Sequence, residues 1–353
     1  MPAKYAWIRL PRHVLVGHDV LGEAPAVFDE LRIEGTGLVV TSPTPKSVAA
    51  DRLIELLITE NGMELEVSVV ESASVDAIER VIDAAEGTDY LVGVGGGKVI
   101  DVTKLASDRL DLGFVSVPTA ASHDGIVSGR ASIPDGETRH SVAADPPLAV
   151  IADTGVIAGA PWELTTAGCA DIISNWTAVK DWRLAKRLRD VEYSEYAAAL
   201  SEMTAEMLVA NADSIKPDLE ESAWIVVKAL VSSGVAMSIA GSSRPASGAE
   251  HLISHQLDRI APGRALHGHQ VGVASIVTAY LHTGETGEWQ RIRDALSSLD
   301  APTTAEELDI TDEEFIEAMT TAHEIRDRYT ILGGGITDRA AREAASVTGV
   351  LAR

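Results

Sequence analysis

Short apolar runs alternate with segments of helical periodicity over the N-terminal part of the chain. The apolar runs are rich in Val, Ile and Leu and lie at 37–41, 66–70, 90–94, 114–117 and 148–151. Runs of this length and composition predict buried strands. Between them, the segments 46–61, 73–85 and 101–109 have apolar residues at helical spacing. This alternation is typical of a mostly parallel sheet connected by helices.

The pattern changes after Ile151. Alanine-rich and leucine-rich segments at 193–208, 223–240, 271–282 and 289–299 predict helices, and almost no strand pattern follows. We therefore predict the α/β class, with a Rossmann-like, mostly parallel sheet domain at 1–160 and an all-helical domain at 161–353. A length of 353 residues suits two domains of roughly 100–200 residues each. The active site is expected in a cleft between the two domains.

The composition is that of a globular protein, with 46% hydrophobic and 23% charged residues. The sequence contains no apolar run as long as the roughly 18 residues needed to span a bilayer, and its N-terminal residues contain no signal-peptide core. These features predict a cytoplasmic protein without membrane insertion. The single cysteine, Cys169, excludes a disulfide within the chain and a cysteine-based zinc site. A metal site must therefore use histidines and carboxylates.

The chain has a net charge of −24, from 53 acidic and 29 basic residues. Such a charge repels nucleic acid and anionic membranes, so we expect neither as a partner. An acidic surface is also what adaptation to high salt produces, because counterions screen the self-repulsion. The alternative is an acidic protein of an ordinary cytosol. Alanine-rich helical faces further lead us to expect a homo-oligomer.

A glycine triplet, Gly95-Gly96-Gly97, lies between the apolar run at 90–94 and the helical segment that follows. Glycine lets backbone amides approach an anion closely, and a helix N-terminus adds a partial positive charge. The spacing differs from G-x-G-x-x-G and from the P-loop pattern. We interpret the turn as a site for the diphosphate of a nucleotide cofactor. A tight turn without a ligand is the alternative.

A polar loop, 118–128, follows the run at 114–117, where open α/β sheets bind ligands. Thr119, Ser122 and Ser128 offer hydroxyls to a cofactor, and Asp124 could accept hydrogen bonds from a polyol. A surface loop without a ligand is the alternative.

The helical half contains one aspartate and a dense group of histidines that suit a metal. Asp171, His251 and His267 form a catalytic zinc ligand set, which leaves one coordination position open. Spacing alone does not select these three, because His255 lies one helical turn from His251, and His269 is close to His267. Hydrogen-bonded core histidines are the alternative.

Four segments together resemble one family. They are Gly95-Gly96-Gly97-Lys98-Val99-Ile100-Asp101, Pro118-Thr119-Ala120-Ala121-Ser122-His123-Asp124-Gly125, Ser247-Gly248-Ala249-Glu250-His251-Leu252-Ile253-Ser254-His255 and Leu266-His267-Gly268-His269-Gln270-Val271-Gly272. The chain is similar to the archaeal sn-glycerol-1-phosphate dehydrogenases, which belong with glycerol dehydrogenases, iron-type alcohol dehydrogenases and dehydroquinate synthases. The resemblance spans most of the chain and, with its charge, suggests a halophilic archaeon as the source.

The resemblance implies a role for each matching residue. It implies that Asp171, His251 and His267 hold Zn²⁺, that Asp124, Asp171 and His255 meet the substrate and act in catalysis, and that His123 and His269 have no assigned role. The implied cofactor-binding residues, for NAD(H) or NADP(H), are Gly97, Lys98, Val99, Ile100, Asp101, Thr119, Ala120, Ala121, Ser122 and Ser128.

The reaction implied by the resemblance is the reduction of dihydroxyacetone phosphate to sn-glycerol-1-phosphate, the backbone of archaeal membrane phospholipids. Glycerol dehydrogenase or another polyol dehydrogenase of the same superfamily is the nearest alternative, and a non-catalytic nucleotide-binding protein is a remote one. A substrate phosphate needs cationic or amide donors, for which Arg244 and Lys104 are candidates by chemistry alone.

Overall fold

The computed structural model describes residues 7–135 and 138–351, which form two compact units. The first unit comprises the chain as far as Pro161 together with Pro217–Ser238, and the second comprises Trp162–Lys216 and the chain from Ile239 onward. The predicted α/β class is confirmed. The segment Pro217–Ser238 packs with the first unit, although the sequence pattern places it in the helical domain.

The first unit is built on a six-stranded sheet whose neighbouring strands are all parallel, in the order β1-β8-β5-β4-β2-β3. A separate antiparallel hairpin consists of β6 and β7. The strands are β1 His13–Gly17, β2 Thr36–Thr41, β3 Glu64–Val69, β4 Tyr90–Gly95, β5 Gly113–Pro118, β6 Arg130–Asp135, β7 Thr138–Ala143 and β8 Ala149–Asp153.

Fourteen helices accompany these strands in the described part of the chain. They are α1 Ala24–Leu31, α2 Pro43–Pro45, α3 Asp51–Asn61, α4 Val75–Ala84, α5 Gly97–Leu110, α6 Thr154–Ala158, α7 Trp162–Arg189, α8 Glu195–Asn211, α9 Glu220–Ala240, α10 Ala249–Ile260, α11 His267–Thr283, α12 Glu288–Ser298, α13 Asp312–Thr321 and α14 Asp338–Val347. A π-helical turn, Lys46–Ala50, joins α2 to α3.

The inner strands of the sheet are mostly apolar and buried, as expected for a parallel sheet covered by helices on both faces. Val39, Val92, Val115 and Ile151 are fully buried in this core. The sequence analysis found five of the six strands of the main sheet. It missed β1, an edge strand in which no residue is fully buried, and the hairpin, whose many polar residues and Pro134 leave no apolar run.

Helix α9 corrects the statement that no apolar run is long enough to span a bilayer. It is long and apolar enough by length and composition, with 44% of its 18-residue window buried. Its contacts are those of a helix in a folded core. Ser233 Oγ donates to Asp124, Thr154 Oγ1 donates to Glu220, and a Cβ on Gly234 would lie 3.2 Å from Val127.

Candidate active site

The glycine turn joins the end of β4 to the start of α5. Gly96 is the N-cap residue of this 14-residue helix, and within the described residues no side chain caps it. The first amides of a helix have no partner inside the helix, so an uncapped start offers them to an anion. The turn therefore has the backbone donors that a diphosphate needs.

The close packing around the turn explains why glycine is required there. A Cβ on Gly97 would lie 1.8 Å from Nε2 of His123, and a Cβ on Gly95 would lie 2.7 Å from Cβ of Val99. Lys98 is exposed, whereas Val99, Ile100 and Asp101 are buried. Of the predicted cofactor-binding residues on α5, Lys98 is thus the one with an exposed side chain.

The polar loop after β5 lies directly beside the glycine turn. β4 and β5 are parallel neighbours, with Gly95 opposite Pro118, and the amide of Thr119 donates to the carbonyl oxygen of Gly95 at 3.1 Å. Thr119, Ala120 and Ala121 are buried and Ser122 is half-buried. The structure therefore brings both predicted cofactor segments together at the carboxyl edge of the sheet, where open α/β sheets bind ligands.

Ser128 and Asp124 lie in the same loop. The amide of Ser128 donates to the carbonyl oxygen of Asp124 at 3.1 Å, and Ser233 Oγ donates to Oδ2 of Asp124 at 2.9 Å. Ser128 Oγ is fully buried and has no partner among the described residues. A buried hydroxyl left unpaired is unfavourable, so a bound cofactor that supplies a partner fits this position.

Lys104 cannot hold a substrate phosphate, which corrects one of the two candidates named above. Its side chain is fully buried, and Nζ donates to the carbonyl oxygens of Gly125 and Arg130. Burial lowers the pKa of Lys104. The residue therefore fastens α5 to the polar loop from inside the protein. Arg244, the other candidate, is half-buried in the second unit, and burial lowers its pKa as well.

The three predicted zinc ligands come together in the second unit. Asp171 lies in the middle of α7, His251 at the start of α10, and His267 is the first residue of α11. One ligand atom from each lies within 4.8 Å of the others. Nε2 of His251 is 3.5 Å from Oδ1 of Asp171, and the two imidazole rings are 5.2 Å apart. One carboxylate and two imidazoles match the donors of a catalytic zinc site, so the residues present fit the metal.

Two glycines of α11 allow this approach. A Cβ on Gly268 would lie 2.1 Å from the carbonyl oxygen of Ala167, and one on Gly272 would lie 2.8 Å from Cβ of Ala170. These glycines are four residues apart and so lie on one face of the helix. They bring His267 close to Asp171.

His255 lies one turn after His251 on α10 and is buried. Its ring stacks on that of His267 with centroids 5.5 Å apart and lies 6.5 Å from that of His251. A second group of possible ligands consists of His255, Asp258 and His267. Within the described residues, the structure thus reduces the several triads allowed by spacing to two, which share His267. Asp258 was not singled out by sequence, although its spacing from His255 places both on one helix face.

Glu250 is a fully buried carboxylate that the sequence analysis left without a role. It accepts hydrogen bonds from Thr177 Oγ1 at 2.9 Å and from Nδ1 of His251 at 3.1 Å. Because a carboxylate accepts, this contact assigns a proton to Nδ1, so the proton that a metal would displace is the one on Nε2, the atom nearer Asp171. Burial opposes the charged imidazole, but the hydrogen bonds to Asp171 and Glu250 raise the pKa of His251 to about 9.

The two histidines without an assigned role have structural contacts. His269 is bonded to Thr166 Oγ1 at 2.8 Å, and burial lowers its pKa to about 4, so it stays neutral. His123 covers Gly97, and its Nδ1 accepts the amide hydrogen of Gly125 at 2.9 Å.

The chain is similar to known dehydrogenases along its length. Residues 15–161 match the family model described as iron-containing alcohol dehydrogenase. The chain is 70% identical over 350 residues to a glycerol-1-phosphate dehydrogenase [NAD(P)+] of Halobacterium salinarum, and 71% identical over 350 residues to one of Natronomonas pharaonis, with 99% of each chain covered. A probable glycerol dehydrogenase from Sinorhizobium meliloti has a similar structure, with a TM-score of 0.79, 21% identity and 98% of each chain covered.

The fold is that of the solved iron-containing alcohol dehydrogenases, and the family model of that name matches residues 15–161. Within this class the structural neighbours show the fold alone, whereas the sequence relatives are similar along the whole chain. The chain belongs to the glycerol-1-phosphate dehydrogenase family, as the sequence motifs indicated.

Proposed function

We propose that this protein reduces dihydroxyacetone phosphate to sn-glycerol-1-phosphate with NADH or NADPH and zinc, and so supplies the backbone of archaeal membrane phospholipids. The observation that carries this proposal is the cluster of Asp171, His251 and His267 within 4.8 Å, in a chain 70% identical to a relative named for this dehydrogenase.

The first unit binds the dinucleotide in this proposal. The uncapped start of α5 receives the diphosphate, and the loop of Thr119 to Ser122 lines the cofactor beside it. The buried hydroxyl of Ser128 donates a hydrogen bond to the cofactor. The nicotinamide supplies the hydride when the cofactor is bound, and the chain holds it in a fixed orientation.

The second unit binds zinc and the substrate in this proposal. Zinc held by Asp171, His251 and His267 supplies Lewis-acid chemistry for the carbonyl group of the substrate. Glu250 keeps Nε2 of His251 available for the metal. His255, buried and stacked on His267, contacts the substrate and provides a proton to the oxygen that becomes the hydroxyl. Asp124, which the resemblance assigns to the substrate, offers a carboxylate that accepts a hydrogen bond from a hydroxyl.

The test is a comparison of two ketones. Oxidation of NADH is measured with dihydroxyacetone phosphate and with dihydroxyacetone in molar KCl, and an enantiospecific coupling enzyme identifies the product. We expect turnover of the phosphorylated ketone to the sn-1 product. Turnover of dihydroxyacetone alone would identify a glycerol dehydrogenase, and inactivity with both would favour a non-catalytic nucleotide-binding protein.

Two buried aspartates of α7 provide a matched pair for the metal part of the proposal. Asp171→Asn should lower the zinc content of the purified protein and abolish turnover. Asp181→Asn is the control, because Asp181 is equally buried but bonded to His282 and to backbone amides. We expect the control variant to retain zinc. Equal zinc content in both variants would contradict the assignment of Asp171 as a ligand.

We also propose that the enzyme is cytoplasmic and homo-oligomeric. Because its net charge of −24 repels nucleic acid and anionic membranes, we propose that it has neither as a partner. Light scattering of the purified protein in molar KCl measures the oligomeric state, and a monomer would contradict it.

A further inference from the structure

We propose that Ser254 and Gln270, supported by Asp258, fix the tautomer of His267 so that Nε2 of His267 carries the lone pair offered to the metal. These are positioning residues, and no comparison gives them a role. The inference rests on the metal site of the proposed function and concerns how that site is prepared before the metal binds.

The first step is the orientation of the Gln270 side chain. Gln270 Nε2 lies 3.3 Å from Oδ1 of Asp258. An ionised carboxylate only accepts hydrogen bonds, so the amide must present its NH₂ group to Asp258. The carbonyl oxygen Oε1 of Gln270 therefore faces the other way, toward Ser254.

The second step is the position of the serine proton. Ser254 Oγ lies 2.7 Å from Oε1 of Gln270, which is an acceptor, so the hydroxyl donates to it. Ser254 has a single proton, so the same oxygen must act as an acceptor toward its other neighbour. That neighbour is Nδ1 of His267, at 2.8 Å. His267 therefore donates from Nδ1, and the neutral imidazole has its lone pair on Nε2.

Because these hydrogen bonds are buried, they determine which nitrogen of His267 carries the proton. Ser254 and Gln270 are both fully buried, so no solvent partner replaces a lost contact. Each lies three residues after a proposed ligand, Ser254 after His251 and Gln270 after His267, and so points to the same helix face as that ligand. Glu250 likewise accepts from Nδ1 of His251, so Nε2 is the nitrogen that gives up its proton when a metal binds. Both imidazoles are thus prepared to bind the metal through Nε2, which lowers the cost of ordering them.

The experiment measures zinc affinity by competition with a chromogenic chelator, and folding by circular dichroism. Ser254→Ala should weaken zinc binding by about 10- to 100-fold, the usual effect of losing an outer hydrogen-bond partner. Ser254→Thr keeps the hydroxyl and should restore much of the affinity. Ser275→Ala is the matched control, because Ser275 is also fully buried, but its hydroxyl donates to the carbonyl of Val271 in its own helix.

A second variant tests the direction of the proton. In Gln270→Met the serine loses its acceptor and becomes free to donate to Nδ1 of His267, which moves the imidazole proton to Nε2. Zinc binding should again weaken, and the visible spectrum of the Co²⁺-substituted protein should differ from that of the wild type. Unchanged affinity in folded Ser254→Ala and Gln270→Met would overturn this inference, whereas a wild type that binds no zinc would overturn the proposed metal site itself.

Discussion

Gly268 of α11 lies against the carbonyl oxygen of Ala167 in α7, so closely that a Cβ at position 268 would be 2.1 Å from that oxygen. The obstacle is backbone, which cannot swing aside as a flexible side chain can. Only a glycine, whose side chain is a hydrogen atom, therefore allows α11, which begins at His267, to lie this close to α7, which contains Asp171.

Gly268→Ala should force these two helices apart. We expect a loss of stability of roughly 1–3 kcal/mol, typical of an overpacked core, and weaker zinc binding because His267 moves away from Asp171. Thermal unfolding and chelator competition measure the two effects. Gly334→Ala is the control, because nothing lies within 4 Å of a Cβ there. Zinc affinity equal in both variants would show that the helix contact does not position the ligands.

Glu250→Gln should weaken zinc binding by about 10- to 100-fold, because the amide loses the charge that holds the proton on Nδ1 of His251. The zinc dissociation constant is the measurement. Asp181→Asn is a suitable comparison, since it removes another buried carboxylate of the second unit that is bonded to His282. A variant at Glu250 with the affinity of the wild type would mean that this carboxylate serves only the packing of α10.

Gly97→Ala tests the cofactor turn. The added Cβ would clash with His123 and would also stand where a diphosphate approaches the start of α5, so we expect reduced stability and reduced NADH affinity. The double variant Gly97→Ala/His123→Ala removes the clash and should recover stability while NADH affinity, measured by fluorescence titration, stays low. Gly22→Ala is the control, because its nearest neighbour is an atom of Arg52 at 3.8 Å. If affinity recovered with stability, no ligand would approach Gly97.

The parts of the fold that the sequence predicted are those with a simple periodicity. Apolar runs predicted β2, β4, β5 and β8 to within two residues, because inner parallel strands are apolar on both faces. Helix α7 was missed, although it contains Asp171. Its residues from Thr165 to Val179 are all buried, so no polar face alternates with an apolar one and no helical period appears.

The candidate site also contains residues that the sequence predicted and residues that it missed. The two histidines proposed as ligands could be named from residue type and motif, but spacing allowed several triads. Among the described residues, only the contact of α7, α10 and α11 reduces these triads to two. Sequence could not single out Glu250, Ser254 and Gln270, because the sequence does not show whether a polar residue in a helix is buried or exposed to solvent. The one sequence signal was Glu250 itself, an acidic residue directly before His251, a proposed ligand.

Tyr90, the first residue of β4, gives a pH-dependent prediction. Burial raises the pKa of Tyr90 to about 12 from its ordinary value of 10. The unfolded chain therefore loses this proton first, so the contribution to stability is present below pH 10 and is lost as the pH rises toward 12. We expect a loss of about 2 kcal/mol across this range.

Denaturant unfolding between pH 9 and 12 measures this effect as a difference between the wild type and Tyr90→Phe, which lacks the ionisable group. Tyr196→Phe is the control, because Tyr196 is 84% exposed and should unfold with the pH dependence of the wild type. Identical pH profiles for the wild type and Tyr90→Phe would contradict the raised pKa.

The net charge of −24 predicts that salt stabilises the fold. Molar KCl shortens the screening length from roughly 8 Å to about 3 Å, which suppresses repulsion among carboxylates spread over the surface. The same salt weakens exposed ion pairs such as Arg52 with Asp19 and Lys186 with Glu195, but solvent screens these pairs and each contributes little to stability. Repulsion from the excess of acidic residues therefore outweighs them, and Tm should rise with KCl concentration.

Thermal unfolding in low and molar KCl measures this rise, and sucrose of equal osmolarity separates screening from a general exclusion effect. We expect KCl to raise Tm well beyond the effect of sucrose, because only the salt supplies counterions. Equal effects of KCl and sucrose, or a Tm independent of both, would show that repulsion among the acidic residues does not destabilise the fold. The net charge would then give no physical reason to infer adaptation to high salt.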